Sequence, residues 1–322
     1  MQTINRNGWI FEISDSGEAV LTECEQGTPV LTIPAQVEGH PLTQIEHDAF
    51  DHGGRIEAFR VEEGQPAFAT REGVLYDRSG EHLVHYPPHR QAASYQPPAG
   101  TKVIESGAFA GAKYLERVVL PEGVTAVQMK AFADCPALEE ADLPLSLADF
   151  SHEVFRGSFR LRDVRVPEDH PFLYREGCFL VNLNEQQLLC CLPGGGEKEL
   201  VAPEGIRYVD DFAFYGCNAL QKIHLHHGLR TLGRYAFYHC SGLRNVDLPE
   251  GLRSIGSRAF SGCTAMKSLY IPDSVTSIEY KAFNNCDHLV LVVNKGSYTD
   301  RYCRQFGFPC RHHMQWPWER GR

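Results

Sequence analysis

Ile255-Gly-Ser-Arg-Ala-Phe-Ser-Gly-Cys-Thr-Ala-Met266, closed by Leu269-Tyr-Ile-Pro-Asp-Ser-Val-Thr-Ser-Ile278, decides the reading of this chain, because its pattern recurs along almost all 322 residues. Phe50, Phe109, Phe132, Phe155, Phe214, Phe237, Phe260 and Phe283 stand 23 residues apart, except for two intervals of 59. All follow an alanine but Phe155, which follows Val154. Five residues before each Phe stand Ile45, Ile104, Val127, Phe150, Val209, Leu232, Ile255 and Ile278. Nine after come Phe59, Val118, Ala141, Val164, Ile223, Val246, Leu269 and Val292. Three after sit Cys135, Cys217, Cys240, Cys263 and Cys286. A fixed period of this length means stacked supersecondary units, each burying its apolar residues against its neighbours.

Within each unit a stretch such as Leu243-Arg-Asn-Val-Asp-Leu248 ends in alternation, which suits a short strand with one face buried. The proline that follows in most units (Pro121, Pro144, Pro167, Pro249, Pro272) has no N–H and stops the ladder. A second short alternating stretch, such as Val275-Thr-Ser-Ile278, leads into the next Ala-Phe.

These residues resemble the BspA-type leucine-rich repeat over roughly residues 30 to 310. Departures are local: Val154 for Ala, His226 for Pro, and Ala112 and Ser158 for the recurrent Cys. The resemblance implies a leucine-rich-repeat solenoid, a right-handed coil with a parallel sheet along one side. It also implies a binding, adhesion or interaction module rather than an enzyme.

The 59-residue intervals each hold 36 additional residues, and the two inserts are alike: Arg71-Glu-Gly-Val-Leu-Tyr76 matches Arg175-Glu-Gly-Cys-Phe-Leu180. Each reads as a β-hairpin, projecting as a ligand-binding arm or marking only a duplication. The expected organisation is an N-terminal hairpin cap and degenerate first coil over 1–40, repeats over 41–293 with inserts near 66–98 and 170–203, and a C-terminal helical cap and tail over 294–322. Tyr298, Tyr302 and Phe306 recur as one apolar helix face, with Ser297 or Thr299 as N-cap. His312 to Trp318 reads as a loose tail. The unbroken repeat argues for one elongated domain.

A net charge of −10 and a pI near 5.8 disfavour general nucleic-acid affinity. No apolar run is long enough to span a membrane, and the first residues have no signal-peptide core. The expectation is therefore a cytoplasmic monomer without cofactor, with secretion or the cell surface as the alternative. Eleven cysteines, an odd number without Cys-x-x-Cys, read as reduced and structural, with a Cys303–Cys310 bridge as an option.

No nucleophile elbow, zinc-protease, Walker or dinucleotide motif occurs; Gly194-Gly-Gly196 reads as a turn. His224 and His226 share a strand face and could share a metal, though no third ligand follows from the sequence. His82, His85 and His89 mix odd and even spacings and are not expected to converge. The candidate ligand surface is the outward face of the strands: Arg60, Arg117, Glu140, Asp142, Asp163, Arg165, Lys222, His224, Asn245, Asp247 and Tyr270. At about 4.8 Å per coil they form a strip about 35–40 Å long, suited to a protein or extended peptide. The alternatives are mutual satisfaction of pairs such as Asp142 with Arg165, an adhesive surface protein, or, more remotely, a metal-dependent enzyme.

Overall fold

The computed structural model describes residues 2–51 and 53–313. They fall into two compact units that divide between Pro171 and Phe172. Each is a leucine-rich-repeat solenoid of short parallel strands, and Tyr298–Phe306 is the one α-helix among the described residues.

Every regular coil contributes to two parallel ladders. The three-residue strands Arg117–Val119, Glu140–Asp142 and Asp163–Arg165 pair in register in the first unit, as do Glu199–Val201, Lys222–His224 and Asn245–Asp247 in the second. Five of the six middle residues (Val118, Ala141, Val164, Ile223, Val246) are buried, as alternation requires, and Leu200 is half-buried. Two-residue strands such as Val103–Ile104 and Ala126–Val127, or Thr231–Leu232 and Ser254–Ile255, form the second ladder.

The Ala-Phe pair is the joint between coils. The Phe109 amide donates to the Ala131 carbonyl at 2.7 Å, Phe214 to Ala236 at 2.8 Å, Phe237 to Ala259 at 2.7 Å and Phe260 to Ala282 at 2.8 Å. The rings stack: Phe109 on Phe132 at 4.8 Å, Phe214 on Phe237 at 4.5 Å and Phe237 on Phe260 at 5.2 Å between centroids. Cys135, Cys240, Cys263 and Cys286 donate S–H to the preceding coil's Phe carbonyl, Cys240 to Phe214 at 2.9 Å and Cys263 to Phe237 at 3.2 Å. Ser158, in the same place, donates to Phe132 at 2.7 Å. The position therefore takes a small side chain, usually a donor but alanine at Ala112, and burial pushes the Cys135 thiol up to about 12.

The inserts are three-stranded antiparallel meanders, Phe68–Arg71, Val74–Asp77 and His82–His85 in the first unit, and Leu173–Glu176, Phe179–Asn182 and Gln187–Cys191 in the second. They do not project. Their last strands pair in parallel with Val103–Ile104 and Tyr208–Val209, and Val74, Leu75, Tyr76 and Leu83 are fully buried. Each meander thus ends by rejoining the repeat: the Tyr86 amide donates to Ala108 and the Cys191 amide to Ala213, both at 2.7 Å. Tyr86 and Cys191 are ladder positions, 23 residues before Phe109 and Phe214.

At the N-terminus Gln2–Arg6, Trp9–Ile13 and Ala19–Cys24 form an antiparallel meander, and Ala19–Cys24 pairs in parallel with His40–Ile45. At the other end Ser297 caps the helix, its Oγ accepting from the Asp300 amide at 3.1 Å. The inward helix face is Thr299, Asp300 and Cys303, whereas Phe306 is exposed. Asp300 turns inward because its carboxylate accepts from the Gly296 amide at 2.8 Å and from Arg304 at 2.6 Å. Cys303 and Cys310 are free thiols, and Cys310–His312 is a strand beside Val290–Val293. Of the stretch read as a tail, Met314 to Trp318 lies outside the described residues.

Candidate functional site

The strand-face residues do not share one continuous ladder. Arg60 lies on Ala58–Val61, which pairs with Val30–Ile33 and stands apart from the strands that carry the other ten residues. The Phe59 amide of that strand donates to Gly73 of the meander at 2.8 Å, so the insert takes up the bonding that a continuing ladder would use.

In the first unit Arg117, Glu140, Asp142, Asp163 and Arg165 converge as one ion network. Arg117 donates to Asp142 at 2.6 Å, and its Nε lies 3.8 Å from Glu140. Arg165 lies 3.2 Å from Asp142, 3.0 Å from Glu140 and 3.1 Å from Asp163. The carboxylates beside Arg117, Asp142 foremost, raise its pKa further. Such half-exposed pairs contribute about 0.2–1 kcal/mol each, screened by salt. Their larger effect is to fix five side chains in one arrangement.

The second unit is different. His224 Nδ1 lies 2.5 Å from Asp247, while Lys222 and Asn245 make no side-chain hydrogen bond or ion pair among the described residues. Tyr270, on Ser268–Tyr270, donates to Glu250 at 3.2 Å, and burial with that carboxylate raises its phenol to about 12. His226 turns to Glu204 at 3.3 Å, so the two histidines considered for a metal face different carboxylates. Among the described residues no group of three or more His, Cys, Asp or Glu is placed to hold a metal ion.

Two rungs escaped the sequence reading, Ser94–Tyr95 beside Arg117–Val119 and Glu199–Val201 beside Lys222–His224. The available signal was their position, 23 residues before the strands they pair with. His82 and His85, set aside on spacing, line one cleft in the first unit together with Glu105.

The family model for the BspA type leucine rich repeat region matches residues 91–185 and 197–300 in six copies. The chain belongs to the BspA-type leucine-rich-repeat family. No curated protein is significantly similar in sequence. Among solved structures, the chain is similar to a leucine rich cell surface protein of Faecalibacterium prausnitzii, with 16% identity and a TM-score of 0.64 over 98% of this chain and 96% of that one. It is also similar to the pneumococcal vaccine antigen PcpA, with 18% identity and a TM-score of 0.64 over 92% and 82%. At these identities the likeness is one of fold.

Proposed function

We propose that this BspA-type protein is a non-catalytic interaction scaffold that binds a protein or peptide through its exposed strand face. The contact surface is the second unit's strand face, Lys222, His224, Asn245 and Asp247 on one ladder and Tyr270 on the next sheet. The observation that carries this reading is the contrast in pairing: the first unit's charges face one another, whereas Lys222 and Asn245 have no side-chain partners among the described residues. A peptide laid along the strands would meet a donor or acceptor at each rung, about every 4.8 Å. The test selects displayed peptides on the wild-type chain. Their binding is then measured to a variant with Lys222, His224, Asp247 and Tyr270 replaced by Ala, and to one with Arg117, Asp142 and Arg165 replaced. Loss confined to the first variant supports the reading; binders that keep their affinity for it, with its circular dichroism unchanged, overturn it.

A second reading places the same scaffold at the cell surface as an adhesion protein. It is favoured by the family and by the two structural relatives, one described as a cell surface protein and the other as a vaccine antigen. The cytoplasmic expectation has no comparable support. Biotinylation of intact source cells with an impermeant reagent decides between them: a labelled chain supports the surface, and an unlabelled chain that labels after lysis excludes it.

A further inference from the structure

Ahead of the ladder ring most coils carry alanine: Ala49, Ala108, Ala131, Ala213, Ala236, Ala259 and Ala282, all buried. In the coil that ends at Tyr86 the same place holds His85. Its ring is only 4% exposed and packs on Phe50 at 4.9 Å and on Phe59 at 5.7 Å between centroids. Its Nε2 is buried with no hydrogen-bond partner among the described residues. Coil packing does not require such a group, since a methyl suffices in the other coils, and an orphaned buried nitrogen costs stability.

His85 lines a cleft of about 600 Å³, inside the range of small-ligand sites. The cleft lies within the first unit, where the sheet holding His40–Ile45 ends and the sheet holding His82–His85 begins. Glu46, Asp77, His82 and Glu105 line it, and the Thr43 hydroxyl adds a second buried polar atom without a partner among the described residues. Phe50 and Phe68 supply apolar wall. No lysine or arginine is among the lining residues, so three carboxylates stand there without a permanent counter-charge. His82 Nδ1 reaches Glu105 at 2.5 Å, and the His82 amide donates to Asp77 at 2.9 Å, which fixes two of those carboxylates. Burial lowers the His85 pKa to about 4, so at neutral pH its ring can accept a hydrogen bond.

We propose that this cleft binds a small organic cation of the alkylammonium class, its ammonium donating to Glu105 and to His85 and its alkyl chain lying against Phe50 and Phe68. An acidic lining with aromatic wall favours a cation over an anion of the same shape. The orphan acceptor favours an N–H donor over a group that cannot donate.

The test is calorimetric titration of the full chain at low ionic strength with pentylamine, with pentan-1-ol and pentanoate as neutral and anionic counterparts. Saturable binding of the amine alone is expected. His85→Ala installs the residue that most coils already carry, so it should fold at neutral pH, and it should lose at least tenfold in amine affinity. Glu105→Gln should do the same, while Glu204→Gln, an exposed carboxylate of the second unit, should leave affinity unchanged. The proposal is overturned if pentylamine does not saturate, if the alcohol or the acid binds as well, if His85→Ala binds undiminished, or if Glu204→Gln weakens binding equally through diffuse charge.

Discussion

The two units are built from the same coil and differ in what the coil carries. In the first, strand-face charges close on one another (Arg117, Glu140, Asp142, Asp163, Arg165), and the long coil returns to the ladder through His85 and Tyr86. In the second, Lys222 and Asn245 are unpaired among the described residues, and the long coil returns through Cys190 and Cys191. The backbone joint is the same in both, 2.7 Å from Tyr86 to Ala108 and 2.7 Å from Cys191 to Ala213. The contrast teaches that coil geometry tolerates wide change in side chains provided that joint is kept. The exchanged residues are thus where the units acquired separate properties.

The strongest check on this contrast is whether the cores are equivalent. Phe132 and Phe237 are fully buried, each stacked on both neighbouring rings. Replacing either with Ala should cost about 3–5 kcal/mol in urea unfolding. A large loss at one and a loss below about 1 kcal/mol at the other would mean that the units do not share a core.

The next effect is confined to the first unit. His85 stays neutral in the fold to about pH 4 because it is buried, whereas in the unfolded chain it takes up a proton near 6.5. Between those values the unfolded state holds more protons, so stability is full above about pH 6.5 and declines as pH falls toward 4. The penalty on that side amounts to about 3 kcal/mol for a group so held. His85→Ala should reduce the decline, leaving the part due to His89 and His170, whose pKa values burial also lowers, and Cys190→Ala in the second unit should leave it intact. Unfolding curves at pH 7 and pH 4.5 measure this, and an unchanged acid decline in His85→Ala would refute the assignment.

A smaller change should run toward stability. The Tyr86 hydroxyl is buried with no hydrogen-bond partner, while its ring stacks on Phe109 at 5.0 Å as a ladder Phe would. Tyr86→Phe keeps the ring and removes the orphaned oxygen, for an expected gain of about 1 kcal/mol. A loss of stability would show that the hydroxyl has a partner, and that this rung differs from the others in more than residue type.

How much of this was legible in the sequence follows from the same rungs. The ladder from Phe109 to Phe155 and from Phe214 to Phe283 could be read directly, because Ala-Phe repeats where backbone joint and ring stack coincide. Tyr86 and Cys191 hold the joint without that signature, so a search by residue type passes them, although the 23-residue spacing to Phe109 and Phe214 holds. The self-pairing of Asp142 with Arg165 was available as an alternative, since in-register strands bring those positions together. The cleft was not legible. His85 and Glu46 come together from two different sheets, and alternation along a strand carries no information about which sheets meet.

The smallest effect separates the strand faces themselves. Asp142 accepts from Arg117 at 2.6 Å and from Arg165 at 3.2 Å, so Asp142→Asn leaves two guanidinium groups sharing fewer carboxylates. It should cost about 1 kcal/mol at low ionic strength and much less in 1 M salt, because these groups are partly exposed. Asp247 faces His224 at 2.5 Å and makes no ion pair with an arginine among the described residues, so Asp247→Asn should cost less than Asp142→Asn and respond less to salt. Equal, salt-sensitive losses in the two variants would mean that the second face is as internally committed as the first. The case for its binding a partner would then fall with the contrast on which it rests.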